Sequence, residues 1–287
     1  MEQAYKAISD LFAVAPSSDL EVADNPRRKQ GQTPEESESL GRQCLSDGDF
    51  QAAIKHFRTA IAQRPSGDVS TLIDLAGAYD YGDQFPQALR QYEKALRAKA
   101  DAVEPHVGKS DLYRRHGRFR RSIEELERAV ELEPSNSFLH IKLAEALRDA
   151  GEPKKAILAA QRAVIAKPDD AFYHYWIGDL LIAQGRAEEA LESLRAAIEL
   201  SPGDDYLYVR AAVAFWQAGR RPEAVKAIRL ASDLDPAKNL YHGLLGILLE
   251  ESGAHEDAAQ ESDRAKKMDR YDHDLLGRLL DEMGIEP

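Results

Sequence analysis

Apolar residues along this chain recur with a short helical period nested inside a long one. In residues 188–200, Ala190, Leu191, Leu194, Ala197 and Ile198 share one stripe while charged residues take the opposite face. That is the pattern of an amphipathic helix with one buried side. The long period is 34 residues, the interval separating Pro134, Pro168, Pro202 and Pro236. Small residues keep the same beat at Gly41, Ala76, Ser110, Ala144, Gly178, Ala212 and Gly246. Two further columns run Ala53, Ala88, Ser122, Ala156, Ala190, Ala224, Ala258 and Ala60, Ala95, Ala129, Ala163, Ala197, Ala231, Ala265. Glycines follow at Gly48, Gly117, Gly151, Gly185, Gly219 and Gly253, with Gly82 one place early. The first interval in each column of small residues is 35, which places one extra residue near Ser66–Asp68.

The columns have a direct physical reading. Small residues on facing helices let two backbones approach, so each unit closes as an antiparallel helical hairpin. Glycine ends the first helix in a left-handed conformation that satisfies its last carbonyls. Proline falls beyond the second helix, which it cannot continue. A single hairpin cannot bury its apolar stripe, so neighbours must cover it. The expected fold is all-α: a right-handed superhelical solenoid of seven hairpins at 34–67, 69–102, 103–136, 137–170, 171–204, 205–238 and 239–272.

The pattern resembles the tetratricopeptide repeat (TPR) family over residues 34–272. The segments GRFRRSIEELERAVELEP (117–134) and GRAEEALESLRAAIELSP (185–202) carry that family's Gly, small, Ala and Pro spacing. The resemblance implies a non-catalytic scaffold or adaptor that binds extended peptides or helices along a concave surface lined by the first helix of each hairpin. Some relatives grip a C-terminal carboxylate with a clamp of two Lys, two Asn and one Arg. The corresponding places here hold Glu38 and Arg42, or Val107 and Asp111, which argues against that ligand.

The two ends depart from the repeat. Tyr5, Ile8, Leu11 and Phe12 give residues 2–15 an amphipathic helical face, and residues 16–33 read as a charged linker with Pro16, Pro26 and Gly31. This N-terminal helix would either cap the first hairpin or lie in the concave groove. The groove would be its own or a neighbouring copy's, and the alternative to a scaffold is then a regulatory or assembly subunit that is occluded by, or self-associates through, this helix. Eighteen linker residues span at most ~60 Å, enough for both. After Asp272, Leu275, Leu276, Leu279, Leu280 and Met283 form an apolar stripe. Residues 273–287 are thus expected to be a capping helix and tail.

Composition narrows the function. The 287 residues carry net charge -12, the wrong sign for a general phosphate-backbone binder. Cys44 is the only cysteine, so no internal disulfide or cysteine-built metal cluster is available. The N-terminal segment is too acidic, and its apolar run too short, for a signal peptide. No stretch reaches the ~20 apolar residues of a membrane helix. A cytoplasmic protein without cofactor or metal is expected.

By register, the groove changes character along the chain. In the first three units it is polar: Glu35, Glu38, Arg42, Asp74, Asp80, Glu104, Asp111, Arg114 and Arg115. From the fourth unit it is apolar and aromatic: Phe138, Ile141, Phe172, Tyr175, Tyr206, Val209, Val213, Trp216, Leu240 and Ile247, with Trp176 and Ile182 nearby. This second half is expected to dock an apolar peptide or amphipathic helix, although several of these side chains could equally pack neighbouring repeats. The run 114–121, with Arg114, Arg115, Arg118, Arg120 and Arg121, reads as a patch for an acidic ligand or as a solvated turn paired with Glu124, Glu125 and Glu127. His106, His140, His174 and His242 share one column. Equivalent side chains on successive repeats lie ~8–10 Å apart, too far to share a metal, so packing is the expectation. No nucleophile–base pair, phosphate loop or zinc-protease motif is evident.

Overall fold

The computed structural model describes residues 33–64, 68–267 and 273–285. The helix expected at residues 2–15 and the linker up to residue 32 lie outside them. All regular secondary structure among the described residues is helical, in fifteen α-helices. They are α1 (Pro34–Ser46), α2 (Phe50–Gln63), α3 (Val69–Tyr81), α4 (Phe85–Ala98), α5 (Val103–Arg115), α6 (Phe119–Leu132), α7 (Ser137–Asp149) and α8 (Pro153–Ala166). There follow α9 (Ala171–Ile182), α10 (Ala187–Leu200), α11 (Asp205–Gln217), α12 (Arg221–Leu234), α13 (Asn239–Glu251), α14 (His255–Lys266) and α15 (His273–Met283). From α1 to α14 the helices pack as consecutive pairs, and the second helix of each pair meets the first helix of the next.

The sequence sets these boundaries locally. Asn136, Asp170 and Asp204 cap α7, α9 and α11, each side chain accepting from the backbone N–H two residues on. Pro86, Pro153 and Pro222 sit in the first turn of α4, α8 and α12, where a missing N–H costs nothing. At the end of α7, Gly151 has φ +75°, and Glu152 N–H donates back to Leu147 O. The second pair shows why Gly82 is displaced by one. Asp83, at φ 56°, takes the left-handed place, and Gln84 N–H donates to Tyr79 O in the same geometry. Aspartate is among the few residues that tolerate that conformation.

Within pairs, the small residues sit at the line of closest approach. A Cβ on Gly41 would fall 2.6 Å from the ring of fully buried Phe57, and one on Gly178 would fall 2.8 Å from Cγ of Leu194. The alanine columns are equally buried. Apolar packing divides into two stretches, one from Ala53 to Leu112 and one from Ile123 to Ile285. Between them lies a buried polar layer in the α5–α6 pair. Glu125 accepts from Lys109 at 2.6 Å and pairs with His106 at 2.7 Å, and the Ser110 and Ser122 hydroxyls bond each other.

Two other histidines of the column brace inter-repeat turns. His140 and His174 bond the carbonyls of Pro134 and Pro168, as the Tyr208 hydroxyl does that of Pro202. His242 pairs with Glu261. Among the described residues no group of three His, Cys, Asp or Glu is arranged to hold a metal ion. None of the described helices is long and apolar enough to cross a membrane.

Candidate protein-docking face

Neighbouring first helices approach one another directly, α1 with α3, α3 with α5 and α9 with α11, whereas no second helices do so comparably. The first helices therefore form the inner, more closely spaced side of the array. Polar side chains bridge successive helices along it. Arg42 donates to Asp74 at 2.8 Å, Arg115 to Asp80 at 2.7 Å and Lys142 to Asp111 at 2.8 Å. Glu38 accepts from Thr71 and from Arg64, which also pairs with Glu35. The polar half of the face is thus largely engaged with itself.

The arginine run divides in the same way. Arg114 reaches Glu145 and Asp149 at 3.3 Å. Arg115, Arg118 and Arg121 lie over the rings of Tyr81, Phe85 and Tyr113. Arg118, Arg120 and Arg121 line an open cleft of about 450 Å³ with Phe119, Ala150 and Glu152. One fork of the run therefore braces α5 against α3 and α7, while the other faces the turn.

The apolar half is built on α7, α9, α11 and α13. At the start of these helices Phe138 is 39% exposed, and Phe172, Tyr175 and Tyr206 are half-buried. Phe172 lies 6.4 Å from Tyr175, and Tyr175 lies 6.0 Å from Tyr206, centroid to centroid. Phe172, Tyr175 and Tyr206 form a ledge across α9 and α11, and Phe138 holds the matching register position on α7. Farther along, Ile141, Val209, Val213, Trp216 and Leu240 are buried and Ile247 is half-buried. Trp176 and Ile182 also belong to the buried core. The ten residues singled out by register all lie on first helices, and they separate into partly exposed rings and a mostly buried stretch.

Helix α15 packs on α11 and α13, and Leu276, Leu279, Leu280 and Met283 join the same apolar core. At the junction stands Arg210, only 4% exposed. Its guanidinium meets Asp179 of α9 at 2.6 Å and Glu282 of α15 at 2.5 Å. Gln217 donates to the backbone oxygen of Glu282 at 2.8 Å. Burial, together with the charge of Asp179, raises the Tyr175 hydroxyl pKa above its ordinary value, and burial raises that of Tyr206, so both hydroxyls stay neutral. Sequence reasoning missed Arg210, Asp179 and Glu282. The signal was a single arginine inside the apolar run of α11, one helical turn from Tyr206 and from Val213.

Second helices carry exposed apolar residues of their own. Leu132, Leu200 and Leu234 stand at equivalent places of their helices, 68 and 34 residues apart, and Ile165 on α8 is 80% exposed.

Tetratricopeptide repeat models match residues 73–137, 107–171, 141–205 and 181–248. Together they span 73–248, more than half of the chain. The chain is a tetratricopeptide repeat protein. Among solved TPR structures it is similar to YrrB, described as having an unusual peptide-binding site. The identity is 25% over 64% of this chain and 95% of that one, with a TM-score of 0.51. MamA is similar at 26% identity and TM-score 0.53, covering 59% of this chain and 93% of that one. A TPR protein from Parabacteroides merdae shares the fold at 17% identity and TM-score 0.59, covering 88% of this chain and all of that one. No curated protein matches the chain. Membership in the family supports a protein-interaction scaffold.

Proposed function

We propose that this TPR protein is a scaffold that binds a partner peptide or amphipathic helix on the inner face of α7, α9, α11 and α13, the first helices of its fourth to seventh repeats. One observation carries the reading: the chain's own amphipathic helix α15 already lies on part of that face, apolar side inward, with an ion pair at the rim. A surface that receives a helix this way has the form of a helix-in-groove site. The ledge of Phe172, Tyr175 and Tyr206 lies beside it, with Phe138 at the same register on α7. Large, rigid aromatic side chains of this kind supply most binding energy at protein interfaces. A peptide-binding site also figures in the description of YrrB.

Tyr175 and Tyr206 suit a test better than Trp216, because Trp216 is 8% exposed and its loss would open the core. A Tyr175→Ala/Tyr206→Ala protein that keeps its helical content should lose the partner captured by the wild type. Capture at wild-type level by the folded variant overturns the assignment.

A further inference from the structure

The placement of α15 departs from the rule that every earlier helix obeys. Each first helix from α3 to α13 packs against the second helix before it, yet α15 turns its apolar side to α11 and α13. It meets them across large sequence separations: Glu282 and Arg210 are 72 residues apart, Glu282 and Gln217 are 65. The contact is also imperfect. Nε of Arg210 and Oε1 of Gln217 are buried with no hydrogen-bond partner, although buried polar groups ordinarily find one. The ion pair holding the helix lies at a rim, since the Glu282 side chain is 41% exposed.

Resting on the docking-face reading above, we propose that α15 is a resident occupant of that face, held in competition with a partner's amphipathic helix. Its own sequence defines the partner's chemistry. Leucine pairs stand one turn apart at Leu275–Leu276 and Leu279–Leu280, and an acidic residue three positions after Leu279 meets Arg210. A competing helix needs that spacing of apolar pairs and a carboxylate at the Arg210 position. It gains over α15 by also supplying partners to Arg210 Nε and Gln217 Oε1, and by reaching the ledge at Tyr175 and Tyr206. Once displaced, an isolated helix of eleven residues is marginal in water, so release of α15 is coupled to its melting. Occupancy by α15 thus sets a threshold that weakly matched helices do not pass.

The test uses the full chain and a fluorescein-labelled peptide of residues 273–285. Wild type should bind it weakly. Full-length protein carrying Leu276→Ala and Leu279→Ala, which loosens α15, should bind at least tenfold more tightly. Replacing Glu282 by Arg in the peptide should remove at least tenfold of that affinity. If the double variant does not fold, Glu282→Ala in the full chain removes only the ion pair and should raise peptide affinity severalfold. Equal peptide affinity for wild type and the loosened proteins, or binding indifferent to Glu282→Arg, overturns the proposal and makes α15 a fixed part of the fold. A wild-type dimer that exchanges α15 between copies, seen as concentration-dependent mass lost on loosening, also overturns it. The two readings fail separately. Peptide binding that follows these rules while partner capture ignores Tyr175 and Tyr206 removes the ledge but keeps the resident helix.

Discussion

Replacing Gly178 by alanine sets two effects of known size against each other. In a helix interior alanine is favoured over glycine by about 1 kcal/mol, so propensity alone makes Gly178→Ala stabilising. The structure opposes this: the new Cβ would sit 2.8 Å from Cγ and 3.0 Å from Cδ2 of Leu194 across the α9–α10 pair. Leu194 is fully buried and has nowhere to retreat. Overpacking of this kind costs about 1–3 kcal/mol, so the net expectation is a loss of about 1 kcal/mol. Gly77 in α3 is the control, because a Cβ there meets nothing within 4 Å, and Gly77→Ala should stabilise by about 1 kcal/mol. Combining Gly178→Ala with Leu194→Ala removes the clash, and the pair should cost about 2 kcal/mol less than the sum of the single changes. Urea unfolding followed by far-UV circular dichroism measures each difference. Hydrogen exchange in α9 and α10 localises it, since a repeat array need not unfold as one unit. Stabilisation by Gly178→Ala equal to that by Gly77→Ala would refute close helix approach as the reason for the column of small residues.

Three further outcomes are expected. Arg210→Ala strands Asp179 and Glu282, but their side chains are 24% and 41% exposed and rehydrate in part. The cost should be about 2 kcal/mol, and hydrogen exchange should quicken in α15 while α1 to α8 are unchanged. Burial pushes the Glu125 carboxyl pKa upward, yet its bonds to Lys109 and His106 outweigh burial and leave it below the ordinary value. A depressed native pKa gives stability that is complete above the unfolded value of about 4.3 and is lost as pH falls through the native one. Glu125→Gln should therefore lower stability at neutral pH and flatten its decline below about pH 4.3, read from thermal melts across pH. Gly117→Ala, at φ +68° with open space around the new methyl, should cost about 1–2 kcal/mol in urea unfolding through backbone strain alone.

What the sequence made legible follows from periodicity. Proline and small residues recur for reasons local to one hairpin, so the α1–α14 pairing could be read from a single chain. Asp83 shows the limit of reading by residue type. The left-handed place was kept in the second pair, but by an aspartate, and the neighbouring glycine drew attention away from it. The candidate face was legible only as register. Helical spacing placed Phe138, Phe172, Tyr175 and Tyr206 on the inner side, but it could not separate these accessible rings from Val209 and Val213, which are fully buried. Nor could it foresee that α15 packs on α11 and α13, a contact across 72 residues made by apolar packing, the Arg210–Glu282 ion pair and the bond from Gln217. No repeat column encodes it. The arginine run reads as one patch in sequence, yet Arg114 and Arg115 turn to acids on neighbouring first helices while Arg118 and Arg120 face a cleft.

The central claim is that the partner sits on the inner face, and the molecule offers a competing surface in the exposed apolar residues of its second helices. A photo-crosslinking amino acid placed at Phe138 samples the first-helix side, and the same group at Ile165 samples the second-helix side. Cross-linking to a partner from position 138, with none from position 165, is the result the account predicts. Cross-linking from position 165 alone would contradict it and move the working surface to the second helices.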